Sequence, residues 1–233
     1  MQSYRTVAYP GVSVASQYMR QVYMWMGAGL LATAGVAAGV ASSPQVMNAI
    51  FSSSLILILL IVAQFGLVIA LSAAIHRMSA GMATFCFLLY AVLTGMTLSS
   101  IFVVYPMGNI ANAFLTTAGM FVAMSIYGTV TKRDLTGMGN FLFMGLIGLL
   151  IAMVVNFFLG STLMDFIISC LGVVIFTGLT AYDTQRLRIF GNDAPMGDAV
   201  AVRRGAILGA LTLYLDFINL FLMLLRLFGS SRD

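Results

Sequence analysis

Charge is what this sequence has least of. Only 8% of its 233 residues are charged, all seven acidic side chains are aspartate, and 61% of residues are hydrophobic. That balance leaves no stretch able to form a soluble domain and places the chain among integral membrane proteins. A net charge of +4 with 12% aromatic residues would suit a nucleic-acid surface. Here, however, Lys and Arg stand singly or in pairs between apolar segments, so no nucleic-acid partner is expected. The two cysteines, Cys86 and Cys170, lie in apolar stretches without a neighbour at metal-ligand spacing, which argues against a disulfide framework or a zinc site. The one histidine, His76, cannot form a metal site alone and reads as an interfacial residue beside Arg77. No nucleotide-binding glycine motif, catalytic triad or cofactor attachment signal is present, so no cofactor and no enzymatic activity are expected.

What the chain has in abundance is apolar sequence. Seven runs, at approximately 22 to 42, 51 to 75, 81 to 105, 111 to 130, 138 to 160, 164 to 186 and 205 to 228, approach or exceed the roughly 20 residues needed to cross about 30 Å of hydrocarbon. The expected architecture is an all-α integral membrane protein. It comprises a cytoplasmic N-terminal tail over 1–21, a seven-helix transmembrane domain over 22–228 and a short tail over 229–233. The small residues from Gly35 to Ser43 resemble a signal-peptidase site, but the apolar stretch begins too far in and runs too long for a secretory signal, so it reads as an uncleaved first span.

With the N-terminus inside, nine basic residues (Arg5, Arg20, Arg77, Lys132, Arg133, Arg186, Arg188, Arg203 and Arg204) fall on the cytoplasmic side and two, Arg226 and Arg232, outside. This bias fixes the expected orientation. The 23 glycines concentrate within spans, where they permit close helix packing, and the 17 methionines fill irregular gaps. The longest connection, Leu187 to Arg204, reads as a polar surface loop with Asp193 and Asp198 as solvated charges.

Against this background a carboxylate in LYLDFINLF is conspicuous. Asp216 lies about 17 Å into the last span, near mid-membrane, where a charge costs several kcal/mol and requires protein, water or a partner around it. Thr212 and Asn219 share its helix face, giving a polar strip on a helix suited to the inside of a bundle. A second carboxylate, Asp183, closes the sixth span in GLTAYDTQRLR, with Thr180 one turn before it and Thr184 beside it. Linear depths leave the two roughly 10 Å apart along the membrane normal. Helix tilt, or a seventh helix beginning deeper, would have to close that gap. If they meet, two poorly solvated carboxylates hold one proton between them, which makes the contact proton-operated. Arg77, at the same end, is the candidate latch that would favour the doubly charged form. Among the other polar residues, Gln64 and Asn156 are expected to bond neighbouring helices, Asp165 to cap the outer end of its helix, and Arg226 to reach the outer interface.

The motifs AYDTQRL and LYLDFINLFLMLLRLFG are where the chain resembles the Bax inhibitor family, above all its bacterial members, and the likeness extends over nearly the whole chain. The resemblance implies six helices surrounding a central C-terminal helix, with Asp216 in the core. It also implies a pH-sensitive calcium leak in a bacterial inner membrane, with Asp183 and Asp216 as the proton-sensing pair and Arg77 in the place of the second-helix latch. Another part of the family resembles modulators of a membrane-bound protease.

Three functions compete. Passive conduction would use carboxylate oxygens as weak, transient calcium ligands at Asp183 and Asp216, with protons competing for them and the lipid bilayer as the surrounding partner. Intramembrane aspartyl proteolysis would use the same two residues. But Leu213-Tyr214-Leu215 precedes Asp216 where such proteases resemble one another in a Gly-rich turn, and their Pro-Ala-Leu sequence is missing. The third is an interaction protein that alters a membrane-bound protease or another membrane protein.

Overall fold

The computed structural model describes residues 14–192 and 198–229. Nine α-helices occur among them: α1 (Val14–Ala41), α2 (Pro44–Phe51), α3 (Ser54–Ala74), α4 (Ala80–Leu98), α5 (Ile101–Val104), α6 (Met107–Val130), α7 (Thr136–Leu159), α8 (Thr162–Asn192) and α9 (Ala199–Phe228). A single 3-10 turn, Ile75–Arg77, continues α3. Seven segments are long and apolar enough to cross a membrane, with α3 and its turn counted as one and α4 with α5 as another. The protein is therefore all-α with seven candidate spans. Among the described residues every Lys and Arg except Arg226 gathers at one end of the bundle, the basic end.

The helices differ from the sequence expectation mainly at their ends. The first begins at Val14, within the stretch assigned to a polar tail, because Ala15, Tyr18, Met19 and Val22 recur at helical spacing and are all buried, while Ser16, Gln17 and Arg20 face outward. Residues 1–13 of that tail lie outside the described residues. The described parts of the connection from Leu187 to Arg204 are helical apart from Asp198, not a surface loop. Helix α8 runs on to Asn192, and α9 starts at Ala199 with Asp198 as its N-cap, accepting from the N–H groups of Val200 and Ala201. Asp198 is thus a cap rather than a merely solvated charge, and Asp193 falls outside the described residues. The third span breaks after Leu98, where Ser99 and Ser100 return their hydroxyls to the carbonyls of Met96 and Thr97.

Helix α9 is the axis. In its most apolar stretch 72% of residues are buried, against 6 to 33% in the other six spans. It packs directly on α1, α4, α6 and α8. Of the other two spans only the 3-10 turn that ends the second packs on it, so they do not complete a ring around it. Helix α3 is held from outside by α4, and α7 by α8. Both carry Leu, Ile, Val and Phe around most of their circumference and expose them, as a lipid-facing helix should.

Close backbone approach fixes the crossings. A Cβ at Gly128 of α6 would collide with the Ala181 carbonyl of α8, so only glycine allows those two helices to lie so near. At the end away from the basic residues, Gly160 takes φ +61° to close α7, a conformation suited to glycine. There Asn156 accepts from the Ser161 N–H rather than bonding a neighbouring helix. Ser161 accepts from the Met164 N–H as the cap of α8, and Asp165 is instead the counter-charge of Arg226 at 3.5 Å.

Candidate functional site

The register of α8 against α9 decides whether the two membrane carboxylates meet. The helices are antiparallel neighbours. A Cβ at Gly172 would lie 2.6 Å from Met223, one at Gly209 would lie 2.9 Å from Leu187, and one at Gly205 would lie 3.3 Å from Phe190. Carried along the pair, this register sets Asp183 level with Thr212 and leaves Asp216 one turn, about 6 Å, further from the basic end. Side chains on a helix tilt toward its N-terminus. On α8 that direction leads away from the basic end, and on α9 it leads toward it. The two aspartates therefore lean toward each other across the offset, near enough for each carboxyl to act on the other. Both are buried, at 8% and 5% exposure.

Two cavities converge on this pair. One, of about 720 Å³, lies among α3, α4, α7, α8 and α9 and reaches Gln64, Asn140, Asp183, Arg186, Thr212, Asp216 and Asn219. The second, of about 650 Å³, opens nearer the basic end and reaches Tyr18, His76, Asp183, Arg186, Arg204 and Thr212. Asp183, Arg186 and Thr212 line both, so they form the partition between them.

The supporting residues separate into those that reach the pair and those that do not. Thr212, Asp216 and Asn219 all line the larger cavity, so the polar strip on the last helix exists. The hydroxyl of Thr212 and the amide of Asn219 donate to their own helix, at Leu208 and Leu215. Thr180 is fully buried, donates to the Phe176 carbonyl and lines neither cavity. Gln64 bonds the neighbouring α4 through Leu93, Thr94 and Thr97. Arg77 is not brought to the pair. It is exposed in the 3-10 turn, and among the described residues no hydrogen bond or ion pair joins it to Asp183. The guanidinium that acts on Asp183 is Arg186, three residues further along the same helix.

A family profile described as "Inhibitor of apoptosis-promoting Bax1" matches residues 15–233. The chain belongs to the Bax inhibitor family. It is 56% identical over 215 residues to inner membrane protein YbhL of Escherichia coli, covering 92% of each chain. It is also 46% identical over 223 residues to a protein of Borreliella burgdorferi, covering 95% of each, and 44% identical over 216 residues to one of Deinococcus radiodurans, covering 93% of this chain and 91% of the other.

Several residues that shape the site in this Bax inhibitor family member were read in the sequence only as orientation-setting charges, as Arg188 and Arg204 were, or carried no assigned role, as with Gln185 and Tyr214. Arg204 donates to the carbonyls of His76 and Met78 and so ties α9 to the turn between α3 and α4. Gln185 accepts from the Leu135 N–H and donates to the Arg133 carbonyl, while Arg188 donates to Thr129, so that α8 clamps the connection from α6 to α7. Tyr214 anchors α9. Thr33 gives its proton to the Ala91 carbonyl at 2.9 Å, which leaves the Tyr214 hydroxyl to donate to Thr33 at 2.6 Å, with Phe87 and Tyr90 edge-on to the ring. Spacing offers a signal for one of these, since Arg186 stands at i+3 from Asp183. No group of three or more His, Cys, Asp or Glu able to hold a metal occurs among the described residues.

Proposed function

We propose that this chain is a passive cation leak of a bacterial inner membrane, with calcium as its cargo and a proton on the Asp183–Asp216 pair as its control. The observation that carries this reading is the shared partition. Asp183 lines a cavity toward the basic end and a cavity toward the membrane interior, and Asp216 stands only in the second. A hard cation passing between the two meets carboxylate oxygens at the point of transfer, and a proton competes with it there. With two carboxylates and no larger cluster among the described residues, binding is weak enough to release the ion. Beyond Asn219, Leu220, Phe221, Met223, Leu224 and Leu225 are buried in an apolar cluster, so this conformation corresponds to a shut path.

The inner membrane is supported by the relative named for it, and a cytoplasmic N-terminus is the orientation that the bias of basic residues favours. Arg186 takes the place of Arg77 as the cation beside the pair. The test is calcium flux from loaded liposomes containing the purified protein between about pH 6 and about pH 8, beside Asp183→Asn and Asp216→Asn. A flux that varies with pH in the parent and loses that variation in both variants is expected. Absence of flux in well-folded parent protein would overturn the reading and favour an interaction protein acting on a membrane-bound protease.

A further inference from the structure

We propose that the larger cavity is a binding site for a single-chain aliphatic amine, entered from the bilayer between α3 and α7, with its ammonium group on Asp216. The consequence for flux, that the amine blocks the passage, rests on the leak reading above; the binding stands on the geometry alone.

The cavity, at about 720 Å³, falls within the size range of organic ligand sites. Its two flanks are helices α3 and α7, neither of which packs on α9 or on the other beyond marginal contact. That leaves a side opening at membrane depth, edged by Phe65, Phe143 and Leu150, which are 67%, 59% and 54% exposed. Toward the mouth the lining is mainly apolar, through Phe65, Val68, Phe143, Leu146 and Leu150, with Gln64 and Asn140 as its polar members. At the back stand Asp216 and Asn219. Asp216 is buried, and its Oδ2 has no hydrogen-bond donor among the described groups. Once the pair has lost its shared proton, a buried carboxylate oxygen without a donor calls for a cation.

The shape of the site narrows which cation. A small inorganic ion would satisfy Asp216 and leave the apolar walls uncovered. A two-chain phospholipid keeps its head at the membrane surface, whereas Asp216 is roughly 25 Å along α9 from Ala199. One hydrocarbon chain ending in a protonated amine meets both the walls and the charge. The titratable and charged groups around the cavity are Asp183, Arg186 and Tyr182 of α8, Asp216 of α9 and Tyr90 of α4, with none from α3 or α7. His76, Arg204 and Tyr18 face Asp183 from the other side of the partition. The amine and the shared proton compete for one negative charge, so amine binding strengthens as the pair loses its proton.

The test uses the purified full chain in detergent with a diazirine-bearing dodecylamine, ultraviolet labelling and peptide mapping. Labelling is expected on the α3 and α7 peptides around Phe65 and Phe143. Dodecylamine should compete and dodecanol should not. Asp216→Asn should weaken labelling by about tenfold. Leu146→Trp, which fills the cavity and leaves both carboxylates in place, should abolish it. Labelling spread over all lipid-facing helices, or equal competition by dodecanol, overturns the proposal. Because labelling needs no transport, labelling without calcium flux sinks the leak reading alone, and flux without labelling sinks this inference alone.

Discussion

Adding one methyl group at Gly95 tests how tightly the bundle is specified. A Cβ there would stand 2.7 Å from the Thr33 carbonyl oxygen and 2.8 Å from Val36 Cβ, against 3.4 Å for the near edge of ordinary contact. The first obstacle is backbone and cannot rotate away, so α1 and α4 must separate by roughly 0.7 Å. Overpacking of that kind costs about 1–3 kcal/mol. The same separation stretches the 2.9 Å bond from Thr33 to the Ala91 carbonyl beyond hydrogen-bonding range, adding about 0.6 kcal/mol by the average for interhelical bonds in membranes. Alanine's better helix propensity returns up to about 1 kcal/mol, which leaves a net loss of about 1–3 kcal/mol. Gly119→Ala on α6 is the internal control, because nothing lies within 4 Å of its Cβ, and it should be neutral or stabilising by up to about 1 kcal/mol. The assay is thermal unfolding in detergent, followed by the fraction that stays monodisperse. If Gly95→Ala proves as stable as Gly119→Ala, the crossing of α1 and α4 described here is wrong.

Other consequences follow from single contacts. Tyr214→Phe removes the hydroxyl donated to Thr33 and leaves the ring contacts intact, so it should cost about 1 kcal/mol, read in the same unfolding assay. Asp134, in the connection at the basic end, accepts the N–H and the hydroxyl of Thr136 at 2.9 and 2.6 Å, and these bonds hold its carboxyl below the usual range. Its contribution to ordering the start of α7 is therefore present above the ordinary carboxylate pKa of about 3.9 and lost as pH falls through the lowered value. Amide-exchange protection in the first turn of α7 should drop in acid, and Asp134→Ala should remove the pH dependence. The Arg226–Asp165 pair is half exposed at 3.5 Å, so Arg226→Gln should change stability by at most about 1 kcal/mol, with the difference vanishing in high salt.

The seven spans were legible because each one needs about 20 apolar residues whatever its neighbours do. The central place of α9 was legible too, since a carboxylate with Thr212 and Asn219 on its face has no business against lipid. Helix ends were not. The polar residues of Ser16, Gln17 and Arg20 hide a buried face that only tertiary packing completes, and the facing ends of α8 and α9 are held as helix while Gln185, Arg188 and Arg204 bond backbone on other elements. Such bonds join residues 50 or more positions apart, and no local pattern announces them. Arg77 and Arg186 illustrate the same limit. Both sit at the basic end in the sequence, and what separates them is that Arg186 stands three residues from Asp183 on the same helix and lines both cavities, whereas Arg77 lies in the turn after α3 and lines neither.

The separation expected between Asp183 and Asp216 shows where linear reasoning about depth fails. Counting residues from the ends treats each carboxyl as if it sat at its own Cα. It also takes the ends of the apolar run as the ends of the helix, although α8 continues six residues past Arg186 and α9 begins six before Gly205. The level of one helix against another is set by what fits at the crossing. Here Gly172, Gly205 and Gly209 admit Met223, Phe190 and Leu187. Once that register holds, the antiparallel arrangement does the rest, because the N-terminal tilt of side chains on each helix carries either carboxyl toward the other. Were the offset reversed, with Asp216 one turn nearer the basic end than Asp183, the same tilt would drive the two apart. The approach of the pair thus depends on the small residues at the crossing as much as on the aspartates themselves.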